Sequence, residues 1–191
     1  MESKQQARAI SLSSRASRTV AQLQQDERGL LAHDWAALCP GDLVTCYVAM
    51  AGEPPTDLLR AHLQSIGKTV LLPIMKPNNE LAWGVDQGEL VTNSYGVAEP
   101  IETGISLDNA TLMIIPALRA GRDGTRLGRG AGYYDRILEK TKSSKTGGPL
   151  RLVLVFDDEL DNSVPHESHD QKMDGIITPT KLLLIKNKIA N

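Results

Sequence analysis

The sequence predicts an α/β fold, with a mainly parallel central sheet flanked by helices and an N-terminal helical segment over about residues 1–40, in a single domain spanning 1–191. Three observations carry this. Residues 43–73 read as strand, amphipathic helix and strand, the β-α-β unit that normally builds a parallel sheet. Apolar runs at 112–116 and 152–156 repeat the strand signal, with a helical stretch between them. The first forty or so residues hold no strand signal.

In chain order, residues 4–38 are rich in Ala, Gln, Leu and Arg, which favour helix. Ser11-Leu12-Ser13-Ser14 is expected to cap or interrupt that helix, and Val20, Leu23, Leu30 and Leu31 are its candidate buried stripe. Pro40-Gly41 ends the region. Residues 43–49 form an apolar, β-branched strand. Pro54-Pro55-Thr56 opens a helix in which Leu58, Leu59, Leu63 and Ile66 recur at the helical period before Gly67. Residues 69–73 are the next strand and 81–85 a short one, and the segment through 95–100 is loop-rich. A strand at 112–116 precedes a glycine- and arginine-rich loop at 121–132 and a helix at 133–140. Residues 142–149 are polar and expected to be mobile. Strands at 152–156, 176–178 and 182–185 complete the chain, and there are no internal repeats.

Composition narrows the function classes. Hydrophobic residues make up 41% and charged residues 23%, as in soluble globular proteins. A formal net charge of −2 offers no overall electrostatic case for nucleic acid. The start, Met1-Glu2-Ser3-Lys4, lacks the apolar stretch of a signal peptide, and no run has membrane-spanning length. Cys39 and Cys46 are too few for a disulfide framework or a cysteine zinc site. The expected location is a reducing cytoplasm.

The segment Gly124-Thr125-Arg126-Leu127-Gly128-Arg129-Gly130-Ala131-Gly132-Tyr133-Tyr134-Asp135 is the most informative one. Glycines spaced by two let the backbone approach a ligand closely, and their successive amides can converge on an anion. The loop runs into a helix N-terminus, which also favours anions. Arg126 and Arg129 add forked donors suited to phosphate. Asp135 falls in the first helical turn, where a carboxylate would repel phosphate unless a divalent cation lies between them, as Mg²⁺ does. The loop is not a Walker A motif, since no Lys-Ser or Lys-Thr follows, and its spacing does not fit a dinucleotide fingerprint. A phosphate-binding loop is the favoured reading. A flexible surface loop and an RGG-like nucleic-acid segment are the alternatives, the latter disfavoured by the flanking strand and helix and the net negative charge.

The string Gly124-x-Arg126-Leu127-Gly128-x-Gly130-x-Gly132-Tyr133-Tyr134-Asp135-Arg136, after a strand ending in Pro116, closely resembles the signature of the 5-formyltetrahydrofolate cyclo-ligase family. Weaker agreement covers nearly the whole chain: Lys4 and Arg8, the strand and turn ending in Glu53, Gly67-Lys68 before the strand ending in Pro73, Gly96-x-x-Glu99-Pro100, and 165–174 with His169-Asp170 and Asp174. One departure is Ala120-Gly121, where family members commonly carry an aromatic or aliphatic residue and then an aspartate; Asp123 is nearby but shifted.

The resemblance implies an ATP- and Mg²⁺-dependent ligase acting on 5-formyltetrahydrofolate. It implies ATP contacts at Lys4, Arg8 and Arg126 through Tyr134 (Leu127, Gly128, Arg129, Gly130, Ala131, Gly132 and Tyr133 between them). Arg126, Arg129 and Tyr133 are the candidate catalytic residues. Val48, Glu53, Trp83, Arg129 and Tyr133 are the candidate folate contacts, with Trp83 equally readable as a core aromatic. Asp135 and Asp174 are the candidate Mg²⁺ carboxylates, with a helix first-turn charge and a turn cap as their plain structural readings. His166 and His169 are read as structural or capping residues rather than zinc ligands. Expected partners are small molecules, without nucleic acid or membrane, for a chain acting as a monomer. Two other readings stay open: a non-catalytic folate- or nucleotide-binding relative, and a sugar-phosphate or CoA-type isomerase or transferase on a similar sheet.

Overall fold

The computed structural model describes residues 2–101, 104–168 and 170–185. The N-terminal segment is three helices, α1 (Lys4–Ala16), α2 (Val20–Leu31) and α3 (Trp35–Leu38). Ser3 with Gln6 and Thr19 with Gln22 form reciprocal capping boxes, which explains where α1 and α2 begin. The serine-rich stretch therefore does not interrupt the helix; Ser11 lies inside α1, buried, and the break falls at Ser17–Thr19. The expected stripe is correspondingly cut: Leu30 is fully buried, but Val20, the first residue of α2, is 71% exposed.

Strand β1 (Leu43–Thr45), helix α4 (Asp57–Ser65) and strand β2 (Thr69–Lys76) form the expected parallel unit. β1 is shorter than its apolar run. Beyond Cys46 the Thr56 hydroxyl takes over, donating to the Tyr47 carbonyl at 2.6 Å and accepting from the Ala49 amide at 3.2 Å. β3 (Glu80–Val85) pairs antiparallel with β2. The segment read as loop contains a hairpin, β4 (Leu90–Thr92) and β5 (Ala98–Pro100). Buried Glu99 fixes it to the end of β2, accepting from the Met75 amide and from Asn93 Nδ2, each at 2.7 Å.

After β6 (Ala110–Pro116), part of the glycine- and arginine-rich segment is a second hairpin, β7 (Arg119–Gly121) and β8 (Arg126–Leu127), so that the loop proper is 128–132. Then come α5 (Tyr133–Lys140), a 3-10 turn at Ser144–Thr146 and β9 (Leu150–Leu154). β10 (Leu160–Asp161) joins β7, and β11 (Gly175–Ile177) and β12 (Leu182–Leu184) end the described chain.

The main sheet has the order β12-β11-β9-β6-β1-β2-β3. β11, β9, β6, β1 and β2 are parallel, and each edge strand is antiparallel. Both faces are covered: Leu112 and Ile114 enter one core with Trp35 and Leu59, while Met113 and Ile115 enter the other with Leu71, Trp83 and Leu138. Burial on both faces is why these strands read as continuous apolar runs rather than alternating ones. From β1 the chain first moves outward to β2 and later returns to β6 on the other side. The carboxyl ends of β1 and β6 therefore mark a topological switch point, where open α/β sheets bind ligands. Among the described residues no helix is long and apolar enough to cross a membrane.

Candidate active site

Two cavities open at this switch point, separated by the glycine loop, whose residues Gly128, Gly130, Ala131 and Gly132 line both. The first, about 390 Å³, is largely apolar; Val48, Met50, Met75, Pro116 and Tyr133 form its walls and Glu53 enters it. The second, about 850 Å³, is polar, with Lys4, Arg8, Arg126 and Arg136 facing Asp135, Glu139, Glu167 and Asp170.

The loop is held by arginines. Arg8 Nε donates to the Gly128 carbonyl at 2.9 Å. Gly130 has φ +107°, and a Cβ there would lie 3.2 Å from the Arg8 guanidinium carbon. Glycine is thus required by both conformation and close approach. Arg126 is buried beneath the loop and ion-pairs with Asp135 Oδ1, while its Nε has no hydrogen-bond partner among the described residues. Asn79 Nδ2 donates to the Ala131 carbonyl at 2.9 Å. Leu127 packs with Ala7 and Val164, seating α1 against the loop.

Arg129 and Glu53 form a pair that the sequence did not reveal. Arg129 Nε donates to Glu53 Oε1 at 2.8 Å, and Glu53 Oε2 accepts from the Met50 amide at 3.0 Å. Glu53 is 8% exposed, so its carboxylate is a buried charge at the apolar cavity, held in place by two donors. At the cavity the hydroxyls of Tyr47 and Tyr134 are buried without hydrogen-bond partners among the described residues. Burial raises the pKa of both hydroxyls, helped by Glu53 at Tyr47 and by Cys46 and Glu53 at Tyr134.

Lys4 contacts Asp170 Oδ2 at 2.7 Å and Glu167 Oε1 at 3.0 Å. Burial works against its charge, but these bonds prevail and raise its pKa. Lys4 and Arg8 thus stand beside the loop despite their distance in sequence. Val48 and Tyr133 line the apolar cavity, as do Tyr134 and Arg129.

Two expected site residues fall elsewhere. Trp83 is 3% exposed in the core with Leu71 and Met113 and lines neither cavity. Asp174 precedes β11 and so lies at the amino end of the parallel strands. It accepts from Ser144 Oγ at 2.6 Å and the Arg151 amide at 2.9 Å. Arg151 in turn donates to the carbonyls of Leu138 and Thr141, at the C-terminal end of α5. Asp135, in the first turn, is separated from that end by about 9 Å of helical rise. Asp135 lines both cavities, whereas Asp174 lines neither.

Among the described residues no cluster of three or more His, Cys, Asp or Glu side chains could hold a metal. Asp135 lines both cavities, and its Oδ2 carries no hydrogen bond among the described residues. A single carboxylate at a polar cavity is a donor set that fits Mg²⁺ where phosphate and water supply its other ligands. His166 Nδ1 contacts the Val164 carbonyl at 2.9 Å, a structural role, and His169 lies outside the described residues.

The Ala120-Gly121 departure has a local cause. Asp123 Oδ1 accepts from the Thr125 amide at 3.1 Å and hydroxyl at 2.6 Å, closing the β7–β8 turn. A Cβ at Gly121 would lie 2.5 Å from that oxygen. Asp123 is thus a turn residue away from both cavities.

Sequence reasoning missed Tyr47, Met50, Met75 and Tyr95 as cavity residues. Tyr95 is 69% exposed at the tip of the β4–β5 hairpin, and an aromatic side chain set among Asn93, Ser94 and Gly96 was its available signal.

The sequence model of the 5-formyltetrahydrofolate cyclo-ligase family matches residues 1–179. The 5-formyltetrahydrofolate cyclo-ligase of Mycolicibacterium smegmatis is 34% identical over 150 residues, covering 74% of this chain and 75% of that protein. The enzyme of the same name from Escherichia coli is 30% identical over 146 residues, covering 73% and 79%. The solved structure of Aquifex aeolicus 5,10-methenyltetrahydrofolate synthetase superposes with a TM-score of 0.80 at 19% identity, over 98% of this chain and 95% of that one; at that identity the fold is what is shared. With the family's sequence model matched from the α1 segment to the end of β11, this chain belongs to the 5-formyltetrahydrofolate cyclo-ligase family of ligases.

Proposed function

We propose that the chain converts 5-formyltetrahydrofolate and ATP to 5,10-methenyltetrahydrofolate, ADP and phosphate with Mg²⁺, acting on small molecules alone. The observation that carries this reading is the pair of cavities sharing one glycine loop: an apolar one with a buried carboxylate, and a polar one lined by Lys4, Arg8, Arg126 and Arg136. Such a wall sets two bound molecules side by side, which is what transfer of a phosphoryl group between them requires.

The chemistry needs ATP because an N-formyl group is amide-like and its oxygen is a poor leaving group. Phosphorylation of the formyl oxygen gives an imidate phosphate; N10 then attacks the same carbon and phosphate departs. No protein nucleophile is needed. Phosphoryl transfer asks the protein chiefly for positioning and charge stabilisation. The loop amides and Arg8 would hold the phosphates, and Arg126 and Arg129 would stabilise the charge that develops on the transferring group. Glu53 would accept from the pterin N–H groups, with Tyr133 and Tyr95 against its faces. When bound through Asp135, Mg²⁺ would neutralise phosphate charge. The two cysteines are free and buried, consistent with a reducing cytoplasm.

Ultraviolet absorbance of the purified protein with 5-formyltetrahydrofolate tests the reading. The methenyl band should grow only with ATP and Mg²⁺ both present; tight folate binding with no band would instead identify a non-catalytic binding protein. Glu53→Gln should raise the KM for the folate by about tenfold or more, the worth of hydrogen bonds to a charged acceptor, with the KM for ATP little changed. The reverse split would move Glu53 to the nucleotide side.

A further inference from the structure

Helix α1 presents four polar side chains on one face, at positions 4, 8, 11 and 15, and each makes a different long-range contact. Lys4 is tied to Glu167 and Asp170. Arg8 holds the Gly128 carbonyl. The Ser11 hydroxyl accepts from Arg119 Nε at 2.8 Å. Arg15 is 3% exposed and makes the firmest contact of the four. Its Nε and Nη2 donate to the two Glu159 oxygens at 2.6 and 2.8 Å, and Nη2 also donates to the Ala117 carbonyl at 2.5 Å. Glu159, 5% exposed, is itself fixed by the Phe156 amide at 3.0 Å. A buried two-pronged arginine–carboxylate pair constrains direction as well as distance.

Arg15 is the only charged side chain of the helix that is buried, whereas the Lys4 and Arg8 contacts lie at the partly exposed N-terminal half. Ala7, Ser11 and Arg15 are its buried residues, whereas Ile10 and Leu12 are 53% and 42% exposed. One small methyl group cannot stop a helix from sliding or turning on the surface beneath it. Arg15 lines neither cavity.

We propose that Arg15, through Glu159 and the Ala117 carbonyl, is a positioning residue for the glycine loop. It fixes the register of α1 on the carboxyl end of the sheet, so that Arg8, about two helical turns toward the N-terminus, meets Gly128 and the backbone of Gly130. The inference rests on reading this loop as the nucleotide site. Ala117 itself depends less on Arg15, because the neighbouring Leu118 amide donates to the Leu127 carbonyl at 2.8 Å and β6 precedes it.

The test is equilibrium binding of a non-hydrolysable ATP analogue with Mg²⁺, and separately of 5-formyltetrahydrofolate. It uses the wild type, Arg15→Met, Arg8→Ala and the double variant, each with its unfolding midpoint. Arg15→Met should weaken the nucleotide about tenfold, equivalent to about 1.4 kcal/mol, and the folate by less than about threefold. Added to Arg8→Ala it should cost little more, because the contact it serves is already gone, and residues acting through a shared element are not additive. Additive losses, an equal loss of both ligands, or an unchanged nucleotide affinity would each overturn the proposal. If Arg15→Met does not fold, Arg15→Lys and Glu159→Gln carry the same test, with smaller losses and the same selectivity expected. A wild type that binds no nucleotide refutes the functional reading itself; a wild type that binds, with additive losses in the variants, refutes only the role of Arg15.

Discussion

Arg129→Ala is expected to lower kcat by about 10²–10³, the usual cost of removing a donor aimed at charge that develops in the transition state, while the protein stays folded. Arg129 lies on the loop between the two cavities, and its side chain is 37% exposed, so little packing is lost with it. Its partner Glu53 keeps the Met50 amide as a donor, which limits the cost of leaving that carboxylate without its cation. Steady-state kinetics alongside a thermal unfolding scan is the measurement. Unchanged turnover would remove Arg129 from the chemistry and leave it as a strut for Glu53. A collapse in stability with unchanged activity per folded molecule would say the same.

Asp135→Asn is expected to raise the Mg²⁺ concentration for half-maximal activity and to lower kcat by about 10- to 100-fold. The carboxylate stands at the first turn of α5, lines both cavities, and is engaged by Arg126 through one oxygen. The substitution also leaves the buried Arg126 guanidinium without its counter-charge. That loss is expected to be about 1 kcal/mol, because the Asp135 side chain is 36% exposed and water screens the pair. The Mg²⁺ titration separates the two roles: a lowered unfolding midpoint with an unaltered titration would leave Asp135 as the partner of Arg126 alone.

The elements that proved legible share a property, which is that short-range pattern specifies them. α5 starts after Gly132 and ends at Lys140, the bounds read from the sequence. β6 stands where the apolar run predicts a strand, because a strand buried on both faces needs apolar residues throughout. Where the pattern misled, a longer-range contact prevailed. β1 ends at Thr45 because the Thr56 side chain replaces its ladder partner, and the β4–β5 hairpin stands because Glu99 ties it to β2.

The site divides in the same way. The glycine loop, Arg126, Arg129, Tyr133 and Asp135 are contiguous, so their spacing alone marked them, and Lys4, Arg8 and Glu53 entered through family resemblance. Trp83 and Asp174 entered by the same route, but their placement follows from which sheet face and which strand end their neighbours impose. Asp174 at the amino end of β11 and Asp135 at the start of α5 look equivalent as acidic motif residues, yet only Asp135 lines the two cavities.

The sequence by itself determined the α/β class, the order of the main strands and helices, the glycine- and arginine-rich loop and the family. Each of these is written in local periodicity, glycine placement or contiguous motifs. Only the tertiary structure decided that Arg129 grips Glu53, that Arg15 anchors α1 to Glu159, that Tyr95 overhangs the apolar cavity and that one loop divides two sites. Those facts depend on which residues far apart in the chain meet, and on which way each side chain leaves its strand or helix, and no local pattern encodes either.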